Sequence, residues 1–121
     1  MKRTLIVGAT PNTTRYAYMA ADRLTQHKHE IIPIGIKQGE VFGKDILPIR
    51  KFPELPAIDT ITMYIGPRHQ AEYIDYLLGL KPKRIIFNPG TENDSFMERA
   101  AEQGIEVVEG CTLVMLQTAT F

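Results

Sequence analysis

The residues best suited to chemistry form a short loop at positions 8–12, which reads Gly-Ala-Thr-Pro-Asn. An uncharged stretch of β-branched and apolar residues at 4–7 precedes the loop, and a helical pattern begins at Arg15. Small residues between a strand and a helix let backbone N–H groups and the positive end of the helix macrodipole converge on one point. This arrangement favours phosphate, so the loop predicts an anion site at the carboxyl end of the first strand.

The other reactive residue types form no catalytic or metal-binding pattern. The sequence has no Gly-x-Ser-x-Gly motif, no Walker loop, no paired-carboxylate constellation and no histidine beside the lone Cys111. His27, His29 and His69 lack a metal-ligand spacing, and only His69, beside the end of a predicted strand, is a candidate ligand contact. We therefore expect a protein that binds a ligand without catalysis of its own.

Length and charge narrow the class of protein. The chain has 121 residues, which predicts one domain over residues 1–121. Lysine plus arginine number 14 and aspartate plus glutamate number 14, so the chain lacks the basic excess of a general nucleic-acid binder. A single cysteine fits a reducing compartment, and no apolar stretch is long enough for a membrane span. We expect a cytoplasmic protein with no nucleic-acid or membrane partner.

The elements that must position the loop alternate along the chain. Strand patterns occupy residues 4–7, 30–34, 58–65, 84–87 and 105–108, and helical patterns occupy residues 15–26, 68–80 and 93–103. This alternation predicts an α/β fold, a Rossmann-like doubly wound sheet of about five mainly parallel strands with helices on both faces. Such sheets bind ligands at the carboxyl ends of their strands, at the topological switch point.

Two further stretches carry weaker patterns. Residues 35–52 contain three glycines and a proline and are expected to be mostly loop, with a short extended piece near residues 44–47. Residues 112–121 are uncharged and largely apolar, which is unusual for a solvated terminus. We expect this tail to pack on its own domain, so that the protein is a monomer or a weak homodimer.

The loop at 8–12 departs from the dinucleotide fingerprint. The second and third glycines of Gly-x-Gly-x-x-Gly are missing. The second strand ends in Pro-Ile-Gly-Ile-Lys at 33–37, without the acidic residue that holds the ribose diol of NAD. Lys37 suits a phosphorylated ribose instead. NAD is therefore disfavoured, and NADP or another 2′- or 3′-phosphorylated adenosine stays open.

Several short motifs, taken in order, resemble one family. Residues 7–12 resemble its Gly-Ala-Ser-x-Asn loop, and further similarities lie at 15–18, 32–34, 40–43, 88–90 and 109–111. The chain resembles the small bacterial CoA-binding proteins, whose fold is that of the CoA-binding domain of the succinyl-CoA synthetase α subunit. The resemblance covers nearly the whole chain. Thr10, Gly35 and Gly110 depart from the serine, asparagine and arginine usual in the family.

The resemblance implies a binding site for coenzyme A or an acyl-CoA. Gly8, Ala9 and Thr10 would wrap the pyrophosphate, within a loop completed by Pro11 and Asn12, and Arg15 would add a charge-assisted hydrogen bond. Bordering the adenine and the phosphorylated ribose would be Pro33, Ile34 and Lys37. Flanking the rest of the ligand would be Ile65, Gly66, Pro67 and Asn88.

The function implied is stand-alone binding of this nucleotide cofactor, since the chain has no room for the other domains that synthetases of this fold need. Two alternatives stay open. One is a small enzyme that depends on NADP or another nucleotide, with Arg15 and Lys37 on the extra phosphate. The other is an interaction module that has kept the fold and lost its ligand.

Overall fold

The computed structural model describes all 121 residues and is built around one six-stranded sheet. Its five longer strands are β1 (Thr4–Val7), β2 (Ile31–Gly35), β6 (Thr60–Met63), β7 (Arg84–Phe87) and β8 (Glu106–Glu109). A short sixth strand, β5 (Leu47–Pro48), pairs with the end of β2. All neighbours in the order β5-β2-β1-β6-β7-β8 run parallel, which confirms the predicted doubly wound fold.

Helices cover both faces of this sheet. They are α1 (Tyr16–Gln26), α2 (Ile74–Gly79), α3 (Asp94–Glu102) and α4 (Thr112–Gln117). Three 3₁₀ turns, Ile49–Lys51, Pro67–His69 and Ala71–Tyr73, and a two-stranded hairpin of β3 (Glu40–Val41) and β4 (Lys44–Asp45) complete the chain. No helix is both long and apolar enough to cross a membrane.

Alternation along β1 divides the core between the two faces. Leu5 and Val7 point into a cluster that includes residues of α2 and α3, while Ile6 points into a cluster with α1 and α4. Successive side chains of a strand face opposite ways, so a strand covered on both sides is largely apolar. Each side chain of β1 is buried for that reason, including Thr4, whose hydroxyl donates to the carbonyl of Lys2 at 3.0 Å.

Alanines let α1 approach the sheet closely. Ala17, Ala20, Ala21 and Leu24 are its buried residues, as the helical spacing predicts. The predicted start of α3 is also confirmed, because the Asn93 side chain accepts a hydrogen bond from the Phe96 N–H at 3.3 Å.

Two segments differ from the sequence-based expectation. The region 35–52 is mostly loop as expected, but it supplies the hairpin and β5, so the main sheet has six strands rather than about five. The helix expected over 68–80 is two 3₁₀ turns followed by the short α2. The buried side chain of Gln70 explains this break, because it bonds the carbonyls of Ile65 and Thr91 and holds the chain against those two loops.

The apolar tail packs on its own domain, as expected. Residues 112–117 form α4, whose Leu116 is buried in the cluster beneath α1. The ring of Phe121 lies 5.0 Å from the His29 ring and 4.4 Å from the Arg84 guanidinium carbon. This contact covers the amino ends of the strands, at the edge of the sheet opposite to the strand ends that hold the predicted site.

Candidate functional site

A cavity of about 740 Å³ lies at the carboxyl ends of the parallel strands. Its walls come from the loops after β1, β2, β6 and β7 and from the 3₁₀ turns at Ile49–Lys51, Pro67–His69 and Ala71–Tyr73. The crossovers change direction between β1 and β6, so the cavity occupies the topological switch point. Its volume is within the range of about 300–1,000 Å³ typical of small-molecule sites.

The loop after β1 is held tightly against β2 and β6. The N–H groups of Gly8 and Ala9 both donate to the Ile34 carbonyl, at 2.9 and 3.1 Å. Gly8 has a φ of +98°, and a Cβ there would lie 2.9 Å from Cγ2 of Ile65. Glycine is therefore required at this position by the fold itself.

These bonds bear on part of the expected site. The amides of Gly8 and Ala9 donate to the Ile34 carbonyl, whereas the resemblance implied that they wrap a pyrophosphate. The Thr10 N–H has no partner within the protein, and its Oγ1 accepts from the Asn12 N–H at 3.1 Å, which leaves the Thr10 hydroxyl proton available.

The first turn of α1 supplies the unpaired donors. Arg15 is the N-cap residue, and its side chain makes no capping hydrogen bond. The N–H groups of Tyr16 and Ala17 have no acceptor within the protein, and both residues line the cavity. Two unpaired amides at the positive end of an 11-residue helix favour an anion at this wall.

Positive charge is concentrated around the cavity although the whole chain has a net charge of zero. Arg15, Lys37 and Arg50 line the cavity with His69, against a single carboxylate, that of Glu72. The ion pairs of the molecule are Arg3–Glu30, Lys83–Asp59 and Arg99–Asp75, so none of the three lining cations is neutralised by a neighbour. The cavity is therefore suited to a ligand with several negative charges.

Two exposed apolar side chains lie at the same wall. Tyr16 is 69% exposed and Ile36 is 59% exposed, and both line the cavity. Tyr18, by contrast, is partly buried against the Phe42 ring at 5.0 Å. An exposed aromatic face and an aliphatic side chain beside unpaired cations suit the planar base of a nucleotide.

Buried amide side chains hold the wall of the cavity that lies opposite α1. The Nε2 group of Gln70 donates to the carbonyls of Ile65 at 2.9 Å and Thr91 at 2.8 Å, and its Oε1 accepts from the Asn93 side chain at 3.0 Å. These bonds join the loops after β6 and β7 to the start of α3. The positions of Ile65 and Thr91, which line the cavity, therefore depend on Gln70.

The buried side chain of Asn88 makes hydrogen bonds within the protein. It is 3% exposed, and its Nδ2 donates to Oγ1 of Thr62 at 2.7 Å and to the Met63 carbonyl at 2.8 Å. Its Oδ1 accepts from the Thr112 N–H at 2.8 Å. These three bonds join the ends of β6 and β7 to α4, so Asn88 supports the floor of the site and does not line the cavity.

Tyr64 lines the cavity between the two walls, and its hydroxyl is directed into the protein. That hydroxyl is buried and makes no hydrogen bond, although the hydroxyls of Thr62 and Thr112 are paired 2.8 Å apart nearby. Burial raises the pKa of the Tyr64 phenol to about 12. The phenol is therefore neutral at physiological pH. The molecule also contains no group of three or more histidine, cysteine, aspartate or glutamate residues arranged to hold a metal ion.

The structure brings together seven of the thirteen residues expected at the site. The ones that line the cavity are Gly8, Ala9, Thr10, Arg15, Lys37, Ile65 and Gly66. The others lie outside its walls: Ile34 and Pro33 are buried in β2, Asn12 bonds Thr14 within its own loop, Pro11 and Pro67 lie in turns, and Asn88 is beneath the floor.

Sequence reasoning missed the contribution of the segment after β5 and of the turns before α2. Arg50, Glu72 and Tyr73 line the cavity from these segments, and Pro89 and Thr91 do so from the loop after β7. Arg50 carried no local signal, because it reaches the site only through the pairing of β5 with the end of β2. The sequence Asn-Pro-Gly at 88–90 indicated the tight loop after β7, but the cavity is lined by Pro89 and by Thr91, which follows the motif, rather than by Asn88.

Comparisons with known proteins found one matching family and several solved structures of similar fold. The profile of a family described as CoA binding domain matches residues 2–117. A crystal structure of an uncharacterized protein is 56% identical to this chain, with a TM-score of 0.92, and the match covers 100% of this chain and 98% of that one. No curated protein matches the chain.

Two more distant structures are similar in fold. A hypothetical protein from Pyrococcus horikoshii OT3 is 24% identical with a TM-score of 0.87, and the match covers 97% of this chain and 82% of that one. The dinucleotide forming acetyl-coenzyme A synthetase 1 of Ca. Korarchaeum cryptofilum, solved in complex with phosphate and ADP, is 16% identical with a TM-score of 0.74. That match covers 90% of this chain and 25% of the synthetase chain.

Proposed function

Because this chain belongs to the CoA binding domain family, we propose that it binds coenzyme A or an acyl-CoA on its own, in the cavity at the carboxyl ends of the strands. Membership of the family supports a CoA-related small-molecule ligand in general. The observation that carries the finer proposal is the set of three unpaired cations, Arg15, Lys37 and Arg50, around a cavity of about 740 Å³.

The pyrophosphate would bind at the first turn of α1. The unpaired N–H groups of Tyr16 and Ala17, the Thr10 N–H and hydroxyl, and the Arg15 guanidinium are the donors available there. These donors take the place of the Gly8 and Ala9 amides. A guanidinium can bond two phosphate oxygens at once, which lysine cannot do with the same geometry.

The 3′-phosphate would bind between Lys37 and Arg50. Both line the cavity, and the strands that precede them, β2 and β5, are paired at Gly35 and Pro48. A phosphate monoester carries a charge of about −1.5 to −2 near pH 7, so two adjacent cations suit it. The adenine would lie against Tyr16 and Ile36, and the pantetheine chain would pass Ile65 and Gly66.

Binding without catalysis is proposed from the character of the lining. The cavity wall contains one histidine and one carboxylate and no cysteine or serine. The phenol of Tyr64 is buried and its pKa is raised to about 12, so it is a poor base at neutral pH. These side chains lack the nucleophile paired with a base that a covalent acyl transfer needs.

Titration calorimetry with CoA, 3′-dephospho-CoA, NADP and NAD tests the proposal. CoA should bind, 3′-dephospho-CoA should bind more weakly, and NAD should bind most weakly. A blocking variant, Gly66→Phe, should abolish CoA binding, because a Cβ on Gly66 meets no atom within 4 Å and the ring can enter the cavity.

The matched control is Gly79→Phe, at the end of α2 and outside the cavity, where a Cβ also meets no atom within 4 Å. This variant should keep the CoA affinity of the unmodified protein. Tighter binding of NADP than of CoA would contradict the proposal and favour the nucleotide-dependent enzyme. Binding of none of the four ligands would favour an interaction module.

A further inference from the structure

Glu72 is the only carboxylate on the wall of a cavity that also carries Arg15, Lys37 and Arg50. It belongs to the 3₁₀ turn Ala71–Tyr73, which follows the end of β6. No ion pair of the molecule includes Glu72, and its side chain forms no hydrogen bond with another residue. Its carboxylate therefore has no partner within the protein and can interact with a ligand in the cavity.

The position of Glu72 within the site is set by the buried Gln70. The Gln70 side chain bonds the carbonyls of Ile65 and Thr91, so the turn that carries Glu72 is anchored to the wall opposite α1. His69 precedes this anchor and also lines the cavity. The unpaired helix amides of Tyr16 and Ala17 lie on the α1 side. A ligand that spans the cavity with its pyrophosphate at α1 has its other end beside the wall that carries Glu72.

We propose that Glu72 makes the site selective for the charge of the acyl group. The inference rests on the proposed function. A neutral acyl group meets no electrostatic penalty beside Glu72, whereas an acyl group with a free carboxylate is repelled. The chemical class of the ligand is thus CoA or a thioester of an uncharged carboxylic acid, and thioesters of dicarboxylic acids are disfavoured.

The magnitude follows from the exposure of Glu72. Two like charges about 4 Å apart in water repel by about 1 kcal/mol, which is about a fivefold change in affinity. The side chain lies at the solvent-exposed rim of the cavity, so the effect should be largest at low ionic strength and should shrink as the salt concentration rises.

Propionyl-CoA and malonyl-CoA test the inference, because they differ by a carboxylate in place of a methyl group. The unmodified protein should bind propionyl-CoA about fivefold more tightly at low salt. In the Glu72→Gln variant the two dissociation constants should become nearly equal. The control is Glu102→Gln, which removes a carboxylate of α3 outside the cavity and should leave the ratio unchanged.

The outcomes separate the two proposals. A ratio that is the same in the Glu72→Gln variant and in the unmodified protein would overturn the selectivity while CoA binding stands. Tighter binding of malonyl-CoA by the unmodified protein would do the same. Failure of the unmodified protein to bind CoA itself would overturn the proposed function, and the selectivity with it.

Discussion

The assignment of each cation to a phosphate can be measured by changing the protein and the ligand together. Arg15 has no internal hydrogen bond from its side chain and no ion pair, so Arg15→Gln should leave the unfolding temperature unchanged. A hydrogen bond to a charged group is worth about 1.5–3 kcal/mol. Arg15 is exposed, so the lower value applies, and the variant should lose about tenfold in CoA affinity.

The ligand decides which phosphate each cation contacts. If Arg15 contacts the pyrophosphate, Arg15→Gln should weaken CoA and 3′-dephospho-CoA by the same factor, because both contain the pyrophosphate. Lys37→Gln should weaken the binding of CoA and leave the binding of 3′-dephospho-CoA unchanged. The dissociation constants of the two ligands should therefore become more similar. Additive behaviour of this kind is expected for contacts with separate parts of one ligand.

Calorimetric titrations of the unmodified protein and three variants with the two ligands provide the measurement. The third variant is the control Arg23→Gln, which removes an exposed arginine from the last turn of the same helix, outside the cavity. It should bind both ligands as the unmodified protein does. Unchanged CoA affinity in Arg15→Gln would refute the assignment of the pyrophosphate to α1. A loss in Lys37→Gln that is equal for both ligands would refute the assignment of the 3′-phosphate.

Two further predictions concern stability. Asn88→Ala should lower the free energy of unfolding by about 3 kcal/mol, measured by urea denaturation, because it removes three buried hydrogen bonds; a loss below about 1 kcal/mol would show that water replaces those bonds. Burial is the main cause that lowers the pKa of His29 below 6.5, so the folded state disfavours protonation of this side chain. The contribution of neutral His29 to the free energy of unfolding should be fully present above pH 6.5 and should be lost as the pH falls through the lowered pKa. Thermal unfolding between pH 7.5 and pH 5 should therefore depend less on pH in His29→Gln than in His27→Gln, and an equal dependence would contradict the assignment to His29.

The architecture was largely predictable because its signals are local. A strand buried on both faces is largely apolar, and the strands Thr4–Val7 and Arg84–Phe87 have the predicted bounds. The spacing of the alanines in α1 likewise predicted a helix that packs closely on the sheet. The order of strands and helices then predicted the parallel sheet and the edge at which a ligand would bind.

The sixth strand was not predictable in the same way. Leu47–Pro48 is two residues long, and a segment this short has no periodicity of its own. It is a strand only because its partner, the end of β2, is already in place. Arg50 enters the site by way of this pairing, so its contribution belongs to the assembled sheet.

By itself the sequence determined the fold class, the loop after β1 and the cationic residues Arg15 and Lys37, since these depend on residue type and on nearest neighbours along the chain. Tertiary structure alone decided which groups remain available to a ligand. The carbonyl of Ile34 pairs with the amides of Gly8 and Ala9, and the partners of Asn88 occupy its side chain. Gln70 places Glu72 on the opposite wall. Hydrogen bonds between residues far apart in the chain leave no local pattern, so only the folded molecule reveals which donors and charges are free to bind.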